Sequence, residues 1–118
     1  MAHRQSRTEA VISDEVMAFL RKIIGRGPDR IHTYMIDALA VVRCCGVLTV
    51  FERRLVDTVQ GRNTVKDLRE QVFRSGAEEL SGRLEGCTGR RVLYVHSSIS
   101  PERDEWVYVI EFEDGLAE

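Results

Sequence analysis

Thr88-Gly-Arg-Arg-Val-Leu-Tyr-Val-His-Ser-Ser-Ile-Ser-Pro-Glu-Arg-Asp-Glu-Trp-Val-Tyr-Val-Ile-Glu-Phe-Glu113 is the stretch that decides the fold. Two runs rich in β-branched and aromatic residues, Val92–Ile99 and Trp106–Phe112, flank a polar loop containing Pro101. That pattern predicts a β-hairpin. Trp106, Tyr108, Ile110 and Phe112 share one side of its second strand, and Val107 and Val109 share the other. A strand apolar on both sides needs cover on both, and a single layer of helices supplies only one.

Working back from the hairpin, a second strand pair is expected at Arg30–Ile36 and Leu39–Gly46, joined by Asp37-Ala38. Two residues suffice only for an antiparallel connection. In the second of these strands Leu39, Val41 and Cys45 oppose Ala40, Val42 and Cys44, so it too is two-faced.

Helical segments occupy the rest. Ser6-Arg-Thr-Glu9 fits a capping box, and Ile12, Val16, Phe19, Leu20 and Ile23 follow as one helical stripe up to Gly25 and Pro28. Thr49-Val-Phe-Glu52 is a second capping box, opening a short helix expected to stop at Gly61. From Thr64 a longer pattern runs through Val65, Leu68, Val72, Leu80 and Leu84 towards Thr88-Gly89. Gly76, Gly82 and Gly86 each weaken it by about 1 kcal/mol relative to Ala, so bending or fraying is expected near its end. The element order is therefore α-β-β-α-α-β-β. It predicts an α+β fold, a four-stranded antiparallel sheet with helices packed mainly on one face.

A chain of 118 residues makes one domain, here 1–118, with 1–7 expected as a disordered tail and 114–118 frayed. Its net charge of −2 and pI near 5.9 argue against a dedicated nucleic-acid binder. No run approaches the roughly 20 apolar residues that span a bilayer, and the N-terminus lacks a signal-peptide core. A cytoplasmic protein is expected. Three cysteines make no disulfide framework; Cys44 and Cys45, adjacent on a strand, point to opposite faces and cannot converge on a metal. Neither a metal nor a cofactor is expected.

Two features invite a ligand. Gly25, Arg26, Gly27 and Arg30 form a glycine-rich turn with positive charge, capable in principle of holding a phosphate or a carboxylate. Its likeness to the GxxG loop of KH nucleic-acid-binding domains fails, because Pro28 stands where the last glycine belongs and a strand follows. Arg53, Arg54, Arg62, Lys66 and Arg69 form a basic cluster interspersed with Asp57, Asp67 and Glu70. A nucleic-acid or phosphate-binding role gains if Arg26, Arg30, Arg53, Arg54 and Arg62 gather on one face. Catalysis has less to draw on. His32, Tyr34, His96, Ser97 and Ser98 offer no nucleophile, base and orienting carboxylate at a recognisable spacing, so no catalytic residue is assigned.

Several landmarks together resemble one bacterial family. They are Gly25-Arg-Gly-Pro28, Gly46-Val-Leu-Thr49, Gly61-Arg62, the run Thr88–Ser100, and Asp104-Glu-Trp-Val107. The family is that of the C component of the sodium-translocating, membrane-potential-generating Mps system, and the likeness extends over about residues 8–113. The resemblance implies an accessory of a cation- or bicarbonate-linked membrane transport system, in peripheral contact with it, and carries over no catalytic residues. A homodimer is expected from the two-faced strands, with Trp106, Tyr108, Ile110 and Phe112 as its interface.

Overall fold

Both capping boxes start helices. The computed structural model describes residues 3–113, and in it α1 (Arg7–Ile24) follows Ser6 while α2 (Val50–Leu55) follows Thr49. The Ser6 hydroxyl accepts from the Glu9 amide at 3.2 Å, and the Glu9 carboxylate accepts from the Ser6 amide at 2.7 Å. Thr49 and Glu52 repeat the exchange at 3.2 and 2.8 Å. Gly25 closes α1 with φ of 96°, a left-handed conformation that costs a glycine nothing.

The remaining elements are β1 (Arg30–Ile36), β2 (Leu39–Cys45), α3 (Val59–Thr88), β3 (Val92–Ser100) and β4 (Glu105–Phe112), with a 3-10 turn at Pro101–Arg103. The fold is thus α+β, with three helices and one antiparallel sheet in the order β1-β2-β4-β3. Two departures from the sequence reading concern α3. It begins at Val59, capped by the Thr58 hydroxyl on the Gly61 amide, so the chain breaks at Val56–Thr58 and Gly61 lies inside the first turn. Gly61 is there for contact, since a β-carbon would lie 1.7 Å from the Leu55 carbonyl oxygen. The helix also runs unbroken to Thr88. Gly76 sits where Phe19 and Ile23 of α1 press in, and a β-carbon there would meet them at 2.7 and 2.6 Å.

The core lies between the sheet and the helix layer. Ala40, Val42 and Cys44 of β2 and Trp106, Tyr108, Ile110 and Phe112 of β4 are buried, with Ile12, Val16 and Phe19 of α1 and Val65, Leu80 and Leu84 of α3. This corrects the expected interface. The four β4 side chains face the chain's own helices, because the uncharged side of β4 is the one a core accepts. Burying residues of that size stabilises the fold by about 1.5–3 kcal/mol each. The face left over is the other one.

A second correction concerns the N-terminus. From His3 onwards the expected tail is bound to the edge strand β1. The outward amides of Thr33 and Met35 donate to the side chains of Gln5 and Glu9, at 2.8 and 2.7 Å. An edge strand with filled amides no longer offers a template for pairing with another chain. The expectation for residues 114–118, and for the first two residues, lies outside the described residues.

Candidate interaction face

Strand register builds the second face of the sheet from four rows. Ile36, Leu39, Glu111 and Tyr94 form the first, and Tyr34, Val41, Val109 and His96 the second. His32, Arg43, Val107 and Ser98 form the third, and Arg30, Cys45, Glu105 and Ser100 the last. No described helix packs on these rows. Ile36 and Tyr94 are 55% and 60% exposed, far beyond what a covered sheet allows. The three central valines give the face an apolar middle.

Apart from Arg30, charge on this face is paired among the described residues. Arg43 and Glu105 join β2 to β4, and the Arg103 Nε donates to the other Glu105 oxygen at 3.3 Å. The bond to Arg43 holds the Glu105 carboxyl below its ordinary range and lifts the Arg43 guanidinium. His96 Nε2 lies 2.6 Å from a Glu111 oxygen, and its ring meets Tyr94 edge-on at 4.6 Å. At the opposite edge the His3 ring packs on His32 and Tyr34, at 5.3 and 4.8 Å. An open cleft of about 720 Å³ lies beside them, lined also by Met17, Asp29, Arg30, Arg43 and Cys45. His32 and His96 stand on the two edge strands, three strand spacings or about 14 Å apart, too far to share a proton.

The glycine-rich turn is a brace. Arg26 donates through Nη1 to the Leu48 carbonyl and through Nη2 to Asp29, both at 2.9 Å. Gly27 makes room for Met17, whose sulfur would lie 2.3 Å from a β-carbon. Gly46 has φ of 70°, and a β-carbon there would meet the Asp29 carboxylate at 2.2 Å. Asp104 completes the joint, one carboxylate oxygen accepting from the Val47 and Leu48 amides at 2.7 and 2.8 Å. Arg26 is therefore engaged with the loop before α2, while Arg30 stands on the open sheet face. The predicted set Gly25, Arg26, Gly27 and Arg30 is not brought together around a common space.

Nor do the five arginines gather on one face: Arg53, Arg54 and Arg62 belong to α2 and the start of α3, apart from Arg26 in its brace and Arg30 on the sheet. Arg62 donates to the Val56 carbonyl at 2.7 Å, and Arg53 lies 3.7 Å from Asp104. Arg69 is buried against Glu52, the Val47 carbonyl and the Trp106 ring. Arg69, counted in the basic cluster of the sequence, has as its partner the N3 glutamate of the second capping box 17 residues away, and no local pattern marks the pair. Among the described residues no group of His, Cys, Asp or Glu converges as a metal site, and no helix is long and apolar enough to cross a membrane.

A two-layer α+β domain, with its helices on one side of the sheet and no described helix on the other, is the class these features define. The chain belongs to the family described as "Na+-translocating membrane potential-generating system (MpsC)", which matches residues 4–114. Membership suggests a component of such a system. It is similar to two proteins of Bacillus subtilis (strain 168), the uncharacterized proteins YbcI and YrhF. The first is 25% identical over 116 residues, covering 98% of this chain and 94% of the relative; the second is 25% identical over 107 residues, covering 90% and 88%. No solved structure matches the chain. Most of the motifs that carried the family resemblance are the fasteners just described: the Gly25–Pro28 turn, the Gly46–Thr49 loop, Gly61-Arg62 and Asp104.

Proposed function

We propose that the chain is a homodimeric, non-catalytic accessory of a membrane-potential-generating, cation- or bicarbonate-linked transport system, and that the open sheet face is where two copies meet. The observation carrying this is the uncovered face itself. Four strands of seven to nine residues present a surface of about 20 by 25 Å, near the 800 Å² per partner of an ordinary interface once side chains are counted. Its apolar part, Ile36, Leu39, Tyr34, Val41, Val107, Val109 and Tyr94, is a contiguous patch of the kind that marks an interaction surface. The patch also suits a second copy of itself, since Arg30 and Arg43 share it with Glu105 and Glu111 and a twofold can set opposite signs together. The non-catalytic part draws on three contacts: His3 and His96 pair with Glu9 and Glu111, His32 packs against His3 and Tyr34, and the glycine-rich turn is a brace.

Sedimentation equilibrium tests the dimer. At tens of micromolar the expected mass is twice the 13.5 kDa of the chain, and Val109→Lys, which leaves the core side of β4 untouched, is expected to return it to one chain. A wild-type monomer at that concentration would overturn the reading. The transport link is tested by affinity capture from native membranes: co-purification of integral transport subunits supports it, and their absence counts against it.

A further inference from the structure

On the helix layer, away from the open sheet face, Phe51, Val50 and Val59 are 83%, 75% and 66% exposed, with half-exposed Leu55 beside them. Slack does not explain this. A free six-residue helix is unstable in water, yet α2 is fixed at its start by the Thr49–Glu52 box, on its inner side by Glu52 on Arg69, and at its end by Arg62 on the Val56 carbonyl and Gly61 beneath Leu55. With Glu52 turned inward, the helical rotation of about 100° per residue turns Val50, Phe51 and Arg54 outward. The architecture holds apolar side chains in water.

The charge around them is positive. Arg54 is exposed and Arg62 half-exposed, and exposed Arg53 lies 3.7 Å from Asp104; Asp57 is the exposed acid of the segment, because Glu52 is buried and neutralised by Arg69. The chain as a whole is negative. The tip stands apart from the cleft described above, which none of Val50, Phe51, Leu55 or Val59 lines. An exposed apolar tip flanked by arginine suits the headgroup boundary of an anionic bilayer, which admits apolar side chains and attracts the guanidinium groups.

We infer that the α2 tip docks reversibly on anionic lipid, with Phe51 and Val50 entering the headgroup boundary and Arg54 and Arg53 meeting lipid phosphates. It deepens the accessory reading and rests on it only for its setting. A dimer formed through the sheet face leaves the α2 tip of each copy free.

The test is flotation of the full chain with phosphatidylcholine vesicles, with and without about one-third phosphatidylglycerol. Expected is binding to the anionic vesicles that falls at least about tenfold with Phe51→Ser or on removal of the anionic lipid, and several-fold with Arg53→Gln/Arg54→Gln. The unfolding midpoint checks each variant, and because these side chains are exposed it should not move. No binding to anionic vesicles, binding indifferent to Phe51→Ser, or retention only by membranes carrying their native proteins would each overturn the inference. None of these outcomes alters the sedimentation result, so the dimer stands or falls separately.

Discussion

Arg69 of α3 grips Glu52 of α2 with two parts of its guanidinium, Nε on one carboxylate oxygen at 2.8 Å and Nη2 on the other at 2.6 Å. The side chains are 2% and 7% exposed. The same Nη2 also donates to the Val47 carbonyl at 2.6 Å, and the guanidinium lies 5.0 Å from the centre of the Trp106 ring. Burial pushes the Glu52 carboxyl up, but Arg69 and Thr49 outweigh it and hold it below its ordinary range. One fork thus ties together α2, α3, the loop after β2, and the largest side chain of the core.

Removing one partner strands a buried charge. Arg69→Met and Glu52→Gln are each expected to cost about 3–5 kcal/mol, while Arg69→Met with Glu52→Gln costs distinctly less than the two single losses together. Urea unfolding of the three variants measures this. Additive losses would mean that the fork contributes no coupling.

Two glycines of α3 should answer in opposite directions. Gly61→Ala drives a methyl into the Leu55 carbonyl and is expected to destabilise by about 2 kcal/mol or more. Gly82 has nothing within 4 Å of its β-carbon position, so Gly82→Ala should stabilise by about 0.5–1 kcal/mol through helix propensity alone. Thermal unfolding of the pair tells whether Gly61 is a contact or merely a weak helix former.

Acid should release the N-terminus from β1. Burial pushes the Glu9 carboxyl up, but the amides of Ser6 and Met35 and the His3 ring pull it from 4.5 down to about 2. A carboxyl depressed by folding adds stability that is complete above the unfolded value and is lost as pH falls towards the folded one. The window is therefore about 4.5 to 2, with a slope of at most about 1.4 kcal/mol per pH unit from this one proton. Glu52 and Glu105, also depressed, act in the same direction. Glu9→Gln should flatten stability against pH across that window, and a curve parallel to wild type would refute the assignment.

Local chemistry explains what could be read from the sequence. Ser6-x-x-Glu9 and Thr49-x-x-Glu52 place their helices because a capping box needs only residues three apart. Gly61 misled because a glycine after a helical stretch reads the same whether it ends one helix or admits a carbonyl into the next. The interface residues misled for another reason: alternation separates Trp106 from Val107 without saying which side meets the helices. A usable signal was present. Arg30, His32, Arg43, His96, Glu105 and Glu111 all share the parity of the open face, whereas Ala40, Val42, Cys44, Trp106, Tyr108, Ile110 and Phe112 carry no charge. The ligand-like look of Gly25–Arg30 dissolved because its partners, Gly46 and Leu48, come from a distant loop.

The cysteines offer a chemical readout of the proposed dimer. Cys44 is fully buried on the core side of β2, and burial, with Cys45 beside it, pushes its thiol up to about 12. Cys45 is half-buried on the open face in the row of Arg30 and Glu105, and Cys87 is half-buried on α3. A thiol reagent should therefore modify Cys45 and Cys87 in the native protein and reach Cys44 only after unfolding. Raising the protein through the micromolar range should slow Cys45 several-fold as the sheet face is covered, while Cys87, on the helix layer, keeps its rate and serves as the internal control. Cys45→Ser identifies which phase is which, and Val109→Lys should abolish the concentration dependence. Equal rates for Cys45 at both ends of the concentration range would place the contact between copies, if there is one, on some other surface.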